Sequence, residues 1–128
     1  MPSHPYDQTG AYGSTGAPAV DIVLQWKERR RNVRALIDTG ASVTMLRRAE
    51  RHFLQLQKVG DAEDINGIGP STKGEPVIVN ITFEGTVFPN FPVIAATTDD
   101  LPVTLIGRDL LNRYVLECNG PALEFEIR

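Results

Sequence analysis

The sequence predicts an all-β domain, a closed or half-closed barrel with one or two short helices. Three observations predict it. Runs of β-branched and apolar residues recur at 20–26, 33–37, 77–83, 91–96 and 121–127. Turn-forming pairs such as Glu84-Gly85 and Asn119-Gly120 punctuate them. Only two stretches, 46–56 and 109–114, combine helix formers with an absence of Gly and Pro. A chain of 128 residues makes one domain the natural count.

The elements follow in order. Residues 1–18 hold Pro, Gly, Ser, Thr and Tyr and little that packs, so they are expected as a flexible lead-in to a domain over 19–128. Val20–Trp26 and Val33–Ile37 are two strands joined by a polar turn over 27–32. The basic cluster Lys27-Glu-Arg-Arg-Arg31 in that turn is expected as a solvated face rather than a phosphate patch. The second strand ends at Asp38-Thr39-Gly40, and 46–56 is a candidate helix. A glycine-rich tip over 64–74 leads into the alternating strand Val77–Phe83, which turns at Glu84-Gly85. Phe91–Ala96 is a further strand, and 97–100 is a polar loop. Pro102–Ile106 runs into Gly107 and a short helix over 109–114. The segment 115–127 is a hairpin turned at Asn119-Gly120, the strongest short hairpin signal.

Composition limits the function classes. Hydrophobic residues make up 41%, and no apolar run reaches the length a bilayer requires. A net charge of −3 argues against broad nucleic-acid binding. The single cysteine, Cys118, has no intrachain partner and is expected as a small core residue in a reducing compartment, the cytoplasm. Asn80-Ile81-Thr82 fits a glycosylation sequon, but without a secretory signal it is expected as ordinary strand residues. His4 and His52 offer no metal-ligand spacing.

The chemistry concentrates in Leu36-Ile-Asp-Thr-Gly-Ala-Ser42. A carboxylate at the end of an apolar strand is unfavourable unless something uses it. Asp-Thr-Gly alone is also an ordinary turn. Two further blocks, Asp64-Ile-Asn-Gly-Ile-Gly-Pro70 and Pro102-Val-Thr-Leu-Ile-Gly-Arg-Asp109, follow it in sequence. In this order and spacing the three blocks resemble the retropepsins, aspartic proteases of retroviruses and their cellular and bacterial relatives. The resemblance covers roughly residues 20–120. It implies the acid protease fold, a retropepsin-like closed β-barrel with one or two short helices.

The resemblance also implies roles. Asp38, Thr39 and Gly40 match the catalytic loop. Gly67, Ile68 and Gly69 match the tip of the flap that folds over bound peptide. Leu36, Ile65, Ile68, Val103 and Leu105 match pocket-lining positions, so an apolar preference beside the scissile bond is expected. Ala41 and Ser42 also lie on the substrate side of the loop. Ser42 stands where many retroviral enzymes have an aspartate, and Ala41 lacks the hydroxyl of pepsin-like enzymes. Arg108 matches a structural arginine whose usual aspartate partner is missing here, so another partner is expected, such as the neighbouring chain. No metal or organic cofactor is needed.

An aspartic protease uses two carboxylates, and this chain has one Asp-Thr-Gly. Asp99, Asp100 and Asp109 are not followed by Thr-Gly or Ser-Gly. The reading is therefore a homodimeric aspartic endopeptidase, assembled through the C-terminal hairpin 115–127, with two symmetry-related Asp38 carboxylates sharing one proton. Aspartic proteases are the standard example of that effect. The alternative is a non-catalytic peptide-binding or dimerisation module on the same fold. A third reading, Gly67-Ile-Gly69 as a phosphate loop, fails because no Gly-Lys-Ser/Thr follows.

Overall fold

The structure, a computed structural model, describes residues 3–64 and 73–128. In chain order these form β1 (Ser3–Pro5), β2 (Ala19–Trp26), β3 (Arg29–Ile37), β4 (Met45–Leu46), α1 (Arg48–Leu54), β5 (Glu63–Asp64), β6 (Lys73–Phe83), β7 (Thr86–Ala96), β8 (Thr104–Ile106), α2 (Arg108–Leu111), β9 (Leu116–Asn119) and β10 (Glu124–Ile127).

The expected all-β barrel is present. The larger sheet runs β2-β3-β8-β4-β7-β6-β5, and β2 also pairs with β6 through Val23↔Thr82, Leu24↔Ile81 and Gln25↔Asn80. That last pairing closes a ring of six strands and leaves β5 on its rim. Period-two patterning fills the interior. Val77, Val79, Ile81 and Phe83 of β6 are all fully buried, and Ile22, Leu24, Ala35 and Ile106 meet them. The helices contribute Leu54, Leu110 and Leu111 to the same core.

Turns fall where local chemistry permits a left-handed backbone. Glu84 and Gly85 have φ of 50° and 77°, as a two-residue primed turn requires. Asn80 sits at a register shift in β6, where its amide donates to Gln25 Oε1 at 2.7 Å and its oxygen accepts the Asn90 N–H at 2.8 Å. It serves the sheet, in keeping with the strand reading. The β2–β3 turn is shorter than expected. Only Lys27 and Glu28 lie outside the ladder, and Arg29–Arg31 belong to β3. Arg31 places its guanidinium 4.9 Å from the centre of the half-exposed Phe53 ring on α1.

Three expectations need correction. First, residues 3–18 are not a free lead-in. Strand β1 pairs antiparallel with β10, Asp7 and Ala17 exchange backbone bonds of 2.7 and 3.1 Å, and Ala17 is buried. His4 stacks on Phe125 at 5.0 Å and its ring nitrogen meets Glu84 at 3.0 Å. Composition reports how little apolar area a segment carries, but not that a distant strand offers it an edge.

Second, the C-terminal hairpin exists, but its loop is longer. Asn119 pairs with Glu124, and residues 120–123 form the loop, with φ of 54° at Leu123. An Asn119-Gly120 two-residue turn would need an N–H from residue 121 in the flanking pair, and Pro121 has none. Third, Cys118 is exposed, not a core residue. It lies on the same side of the sheet as the buried Phe125, but beyond the reach of the barrel core.

Asp7 anchors the N-terminal segment. Its carboxylate accepts the Thr9 hydroxyl at 2.6 Å and N–H at 3.0 Å, and Arg34 Nε at 3.1 Å. These bonds, Thr9 foremost, hold it below the ordinary carboxylate value. A depressed folded value means the contribution is complete above the unfolded pKa, roughly 4, and disappears as pH falls through the folded value. Asp7→Asn is therefore expected to lower stability at neutral pH and to flatten its decline on acidification. Urea midpoints measured across that acid range test this; parallel curves for both proteins would refute it.

Candidate active site

The site is built where β3 gives way to a turn and β8 runs beside it. Strand β8 lies between β3 and β4, parallel to the first through Leu36↔Leu105 and antiparallel to the second through Met45↔Leu105. The chain thus leaves β3, forms the loop 38–44, and returns as β4 with β8 threaded between its two arms.

Asp38 is fixed by its backbone. Its N–H donates to the Ile106 carbonyl at 3.0 Å, and the preceding Ile37 N–H donates to the Pro18 carbonyl at 2.9 Å. The Ala41 N–H returns to the Asp38 carbonyl at 3.2 Å and closes the turn. The Gly40 N–H donates to Asp38 Oδ1 at 2.9 Å, which sets the side-chain angle. Asp38 Oδ2 has no hydrogen-bond partner among the described residues. A β-carbon on Gly40 would stand 3.2 Å from Asp38 Oδ1, a tight approach that glycine avoids. In the single chain Asp38 is half-exposed, and Thr39, Gly40 and Ser42 are exposed. The expected burial of this carboxylate is therefore absent within one chain, because the turn lifts it clear of the strand.

The start of α2 braces the loop. The Arg108 N–H donates to the Ala41 carbonyl at 2.9 Å, and its guanidinium donates to the Thr39 carbonyl at 2.7 Å. Arg108 thus finds a partner in its own chain, and the partner is a carbonyl of the Asp-Thr-Gly turn.

Sequence reasoning missed Thr44 and Asp109. Thr44 is fully buried, donates its hydroxyl to Asp109 Oδ1 at 2.7 Å and its N–H to Asp109 Oδ2 at 2.9 Å. Its oxygen accepts the Gly107 N–H at 3.2 Å, and Asp109 Oδ1 also takes the Leu110 N–H at 2.9 Å. One carboxylate therefore serves both the first turn of α2 and the far arm of the loop 38–44. The acid just inside a helix start was the available signal for Asp109. Nothing local marks Thr44. Thr44→Val keeps the shape but strands buried polar groups, so a loss of about 2–3 kcal/mol is expected by chemical denaturation. A change within error would remove the latch from the account.

Three of the apolar residues expected to line side-chain pockets lie close together. Leu36, Val103 and Leu105 share an apolar cluster with Ile94, Ala96, Leu101, Val43 and Met45, separate from the barrel core. Leu36 and Val103 reach the surface, and Leu105 backs them. Ile65, Gly67, Ile68 and Gly69 lie outside the described residues. Two clefts, of about 460 Å³ beside α1 and Glu75 and about 220 Å³ between Val43 and Phe91, do not contain Asp38. Among the described residues no three His, Cys, Asp or Glu side chains converge as metal ligands.

Comparison with known proteins agrees with this geometry. The sequence profile of an aspartyl protease family matches residues 25–110. No curated protein matches the chain by sequence. Among solved structures, a retropepsin-like aspartic protease from Rickettsia conorii superposes with a TM-score of 0.66 at 16% identity, over 98% of this chain and 87% of that one. The EIAV protease, complexed with the inhibitor HBY-793, gives 0.59 at 24% identity, over 76% of this chain and 86% of that one. The retroviral protease-like domain of Ddi1 from Leishmania major gives 0.56 at 15% identity, over 87% and 89%. At these identities the structures establish the fold, and the profile spans the Asp38-Thr39-Gly40 turn, α1 and β8. The chain belongs to the aspartyl protease family and carries its retropepsin-like fold.

Proposed function

We propose that the protein is a homodimeric aspartic endopeptidase. Two Asp38 carboxylates, one from each copy, would face each other across a two-fold axis and hold a water between them. One acts as general base on that water, and the other protonates the substrate carbonyl and then the leaving amine. The Thr39 hydroxyls lock the two turns to each other, and Gly40 lets the peptide backbone approach. The segment holding Gly67, Ile68 and Gly69 covers the peptide, with the Ile68 amide holding a second water against it. Leu36, Val103 and Leu105, with Ile65 and Ile68, receive apolar side chains, while Ala41 and Ser42 flank the backbone.

One observation carries this reading. The sole Asp-Thr-Gly turn stands at the surface of the chain with one carboxylate oxygen anchored by Gly40 and the other without a partner among the described residues. A turn that only joined two strands would have no need for its backbone to be pinned so firmly from β8 and α2.

A cleavage profile on a random peptide library tests the proposal. Cuts between apolar residues by the wild type, absent with Asp38→Ala, are expected. A well-folded dimer that cuts nothing would leave the peptide-binding module as the better description.

A further inference from the structure

Charge is spread unevenly along the chain. Nine of the thirteen Lys and Arg residues lie between positions 27 and 58, against three of the sixteen Asp and Glu residues. That stretch carries +6 and the remainder −9, within a net charge of −3. The fold gathers much of it around α1. Strand phase does this in β3. Val33 and Ala35 face the core, and Arg29 and Arg31 share their phase. Past the end of the core these two meet α1 instead: Arg31 lies over Phe53, and Arg29 lines a cleft with Leu54 and Gln55. Arg29 is about 30 Å along the strand from Asp38.

Two clefts adjoin here. One, of about 460 Å³, is walled by Arg48, Arg51, His52, Glu75 and Thr97. The other, of about 380 Å³, is walled by Trp26, Lys27, Glu28 and Arg29. Gln55 and Gln57 line both, so the two form one groove across the C-terminal end of α1. Gln55 has φ of 55°, where glycine is the usual residue. The chain keeps a side chain at that point, and its amide both donates and accepts.

The cations of the groove are loosely committed. Lys27 and Arg29 have no ion pair among the described residues. Arg48 meets the exposed Asp99 at 3.6 Å, and the exposed Lys58, beside the groove, meets Glu75 at 3.7 Å. Exposed pairs of this kind are worth little, so these cations can turn to a ligand at small cost. Arg51 is the fixed one, bound to Glu75 and to the Leu56 carbonyl at 3.2 Å.

We propose that this groove docks an extended acidic segment of another polypeptide. Its lining discriminates among anionic partners. A phosphate backbone only accepts hydrogen bonds, and Glu28, Glu75 and Asp99 repel it. A peptide brings N–H groups as well as carboxylates. It can give N–H to Glu75 and to the Gln55 and Gln57 oxygens while its Asp and Glu side chains take Lys27, Arg29 and Arg48. A membrane surface favours apolar side chains free to insert, whereas the exposed Phe53 ring is covered on one face by Arg31. Asp38 takes no part, so the proposal stands apart from the catalytic reading.

Fluorescence polarisation on the full chain tests this, with a capped, labelled peptide of alternating Glu and Ser as probe. Saturable binding at low salt is expected, weakening several-fold as salt rises. The double variant Arg29→Gln, Arg48→Gln should bind about fivefold more weakly. The double variant Arg113→Gln, Arg128→Gln makes the same change in net charge at exposed sites outside the groove and should bind as the wild type does, both variants melting normally. Absence of binding, or equal weakening in both variants, overturns the groove as the site. Tighter binding of a short oligothymidylate or of phosphatidylserine vesicles, lost in the first variant, overturns the polypeptide partner in favour of nucleic acid or membrane. Every arm reads binding and none reads cleavage, so failure here leaves the endopeptidase reading in place.

Discussion

Asp38→Asn is expected to abolish peptide cleavage and to leave the fold and the dimer in place. The side chain keeps its size, and an amide oxygen can still accept the Gly40 N–H now made to Asp38 Oδ1 at 2.9 Å. The tethers to Ile106 and Ala41 are backbone bonds and do not change. Asp38 is half-exposed in the chain, so no buried charge is lost there, and a stability change of about 0.5 kcal/mol or less is expected of the protomer. The chemistry changes outright. An amide neither accepts the water's proton nor donates one in the reaction, and the paired mechanism needs both acts. Loss of general acid–base function is worth roughly 10²–10⁴-fold for one group, and both sites change together in a homodimer. Turnover on the best library peptide, measured beside sedimentation and thermal melting, decides the matter. Residual activity above about 1% of wild type, with contaminants excluded, lies outside that range and would sink the mechanism.

Much of this was written locally in the chain. The Glu84-Gly85 turn, the alternating burial of Val77, Val79, Ile81 and Phe83, and the Asp38 turn each follow from a few adjacent residues. Local patterns settle turn type, strand face and helix start, and the barrel follows once those are right. What escaped depends on residues far apart in sequence. Thr44 and Asp109 are 65 positions apart, and neither predicts the other. The order of β1 comes from β10 and Glu84, at the other end of the chain and at a distant turn. Cys118 misled because hydrophobicity reports a preference for burial, while an edge position denies it within one chain. Asp38 is half-exposed for a different reason, since its turn lifts it clear of the strand.

Gly107→Ala is expected to have the second largest effect, although the substitution adds one methyl group outside the Asp-Thr-Gly motif. The backbone conformation is not the obstacle, since φ is −96° and any residue adopts it. Space is. A β-carbon there would stand 2.5 Å from both the carbonyl carbon and oxygen of Val43 and 3.0 Å from the Ala41 carbonyl oxygen. All three are backbone atoms of the loop 38–44, so no side chain can swing aside. Either the loop moves outward or β8 and α2 retreat. Each route strains the bond from Gly107 N–H to Thr44 Oγ1 and the bond from Arg108 N–H to the Ala41 carbonyl. Overpacking of this kind costs about 1–3 kcal/mol. Catalysis should suffer more than stability, because a shift of about 1 Å in a positioned group can cost about 100-fold in rate. The expected signature is a variant that still folds, melts some degrees lower and has lost about two orders of magnitude in kcat/KM. Full activity in Gly107→Ala would mean that the loop has slack which the close approach of β8 denies, and the bracing of Asp38 by Gly107 and Arg108 would have to be abandoned.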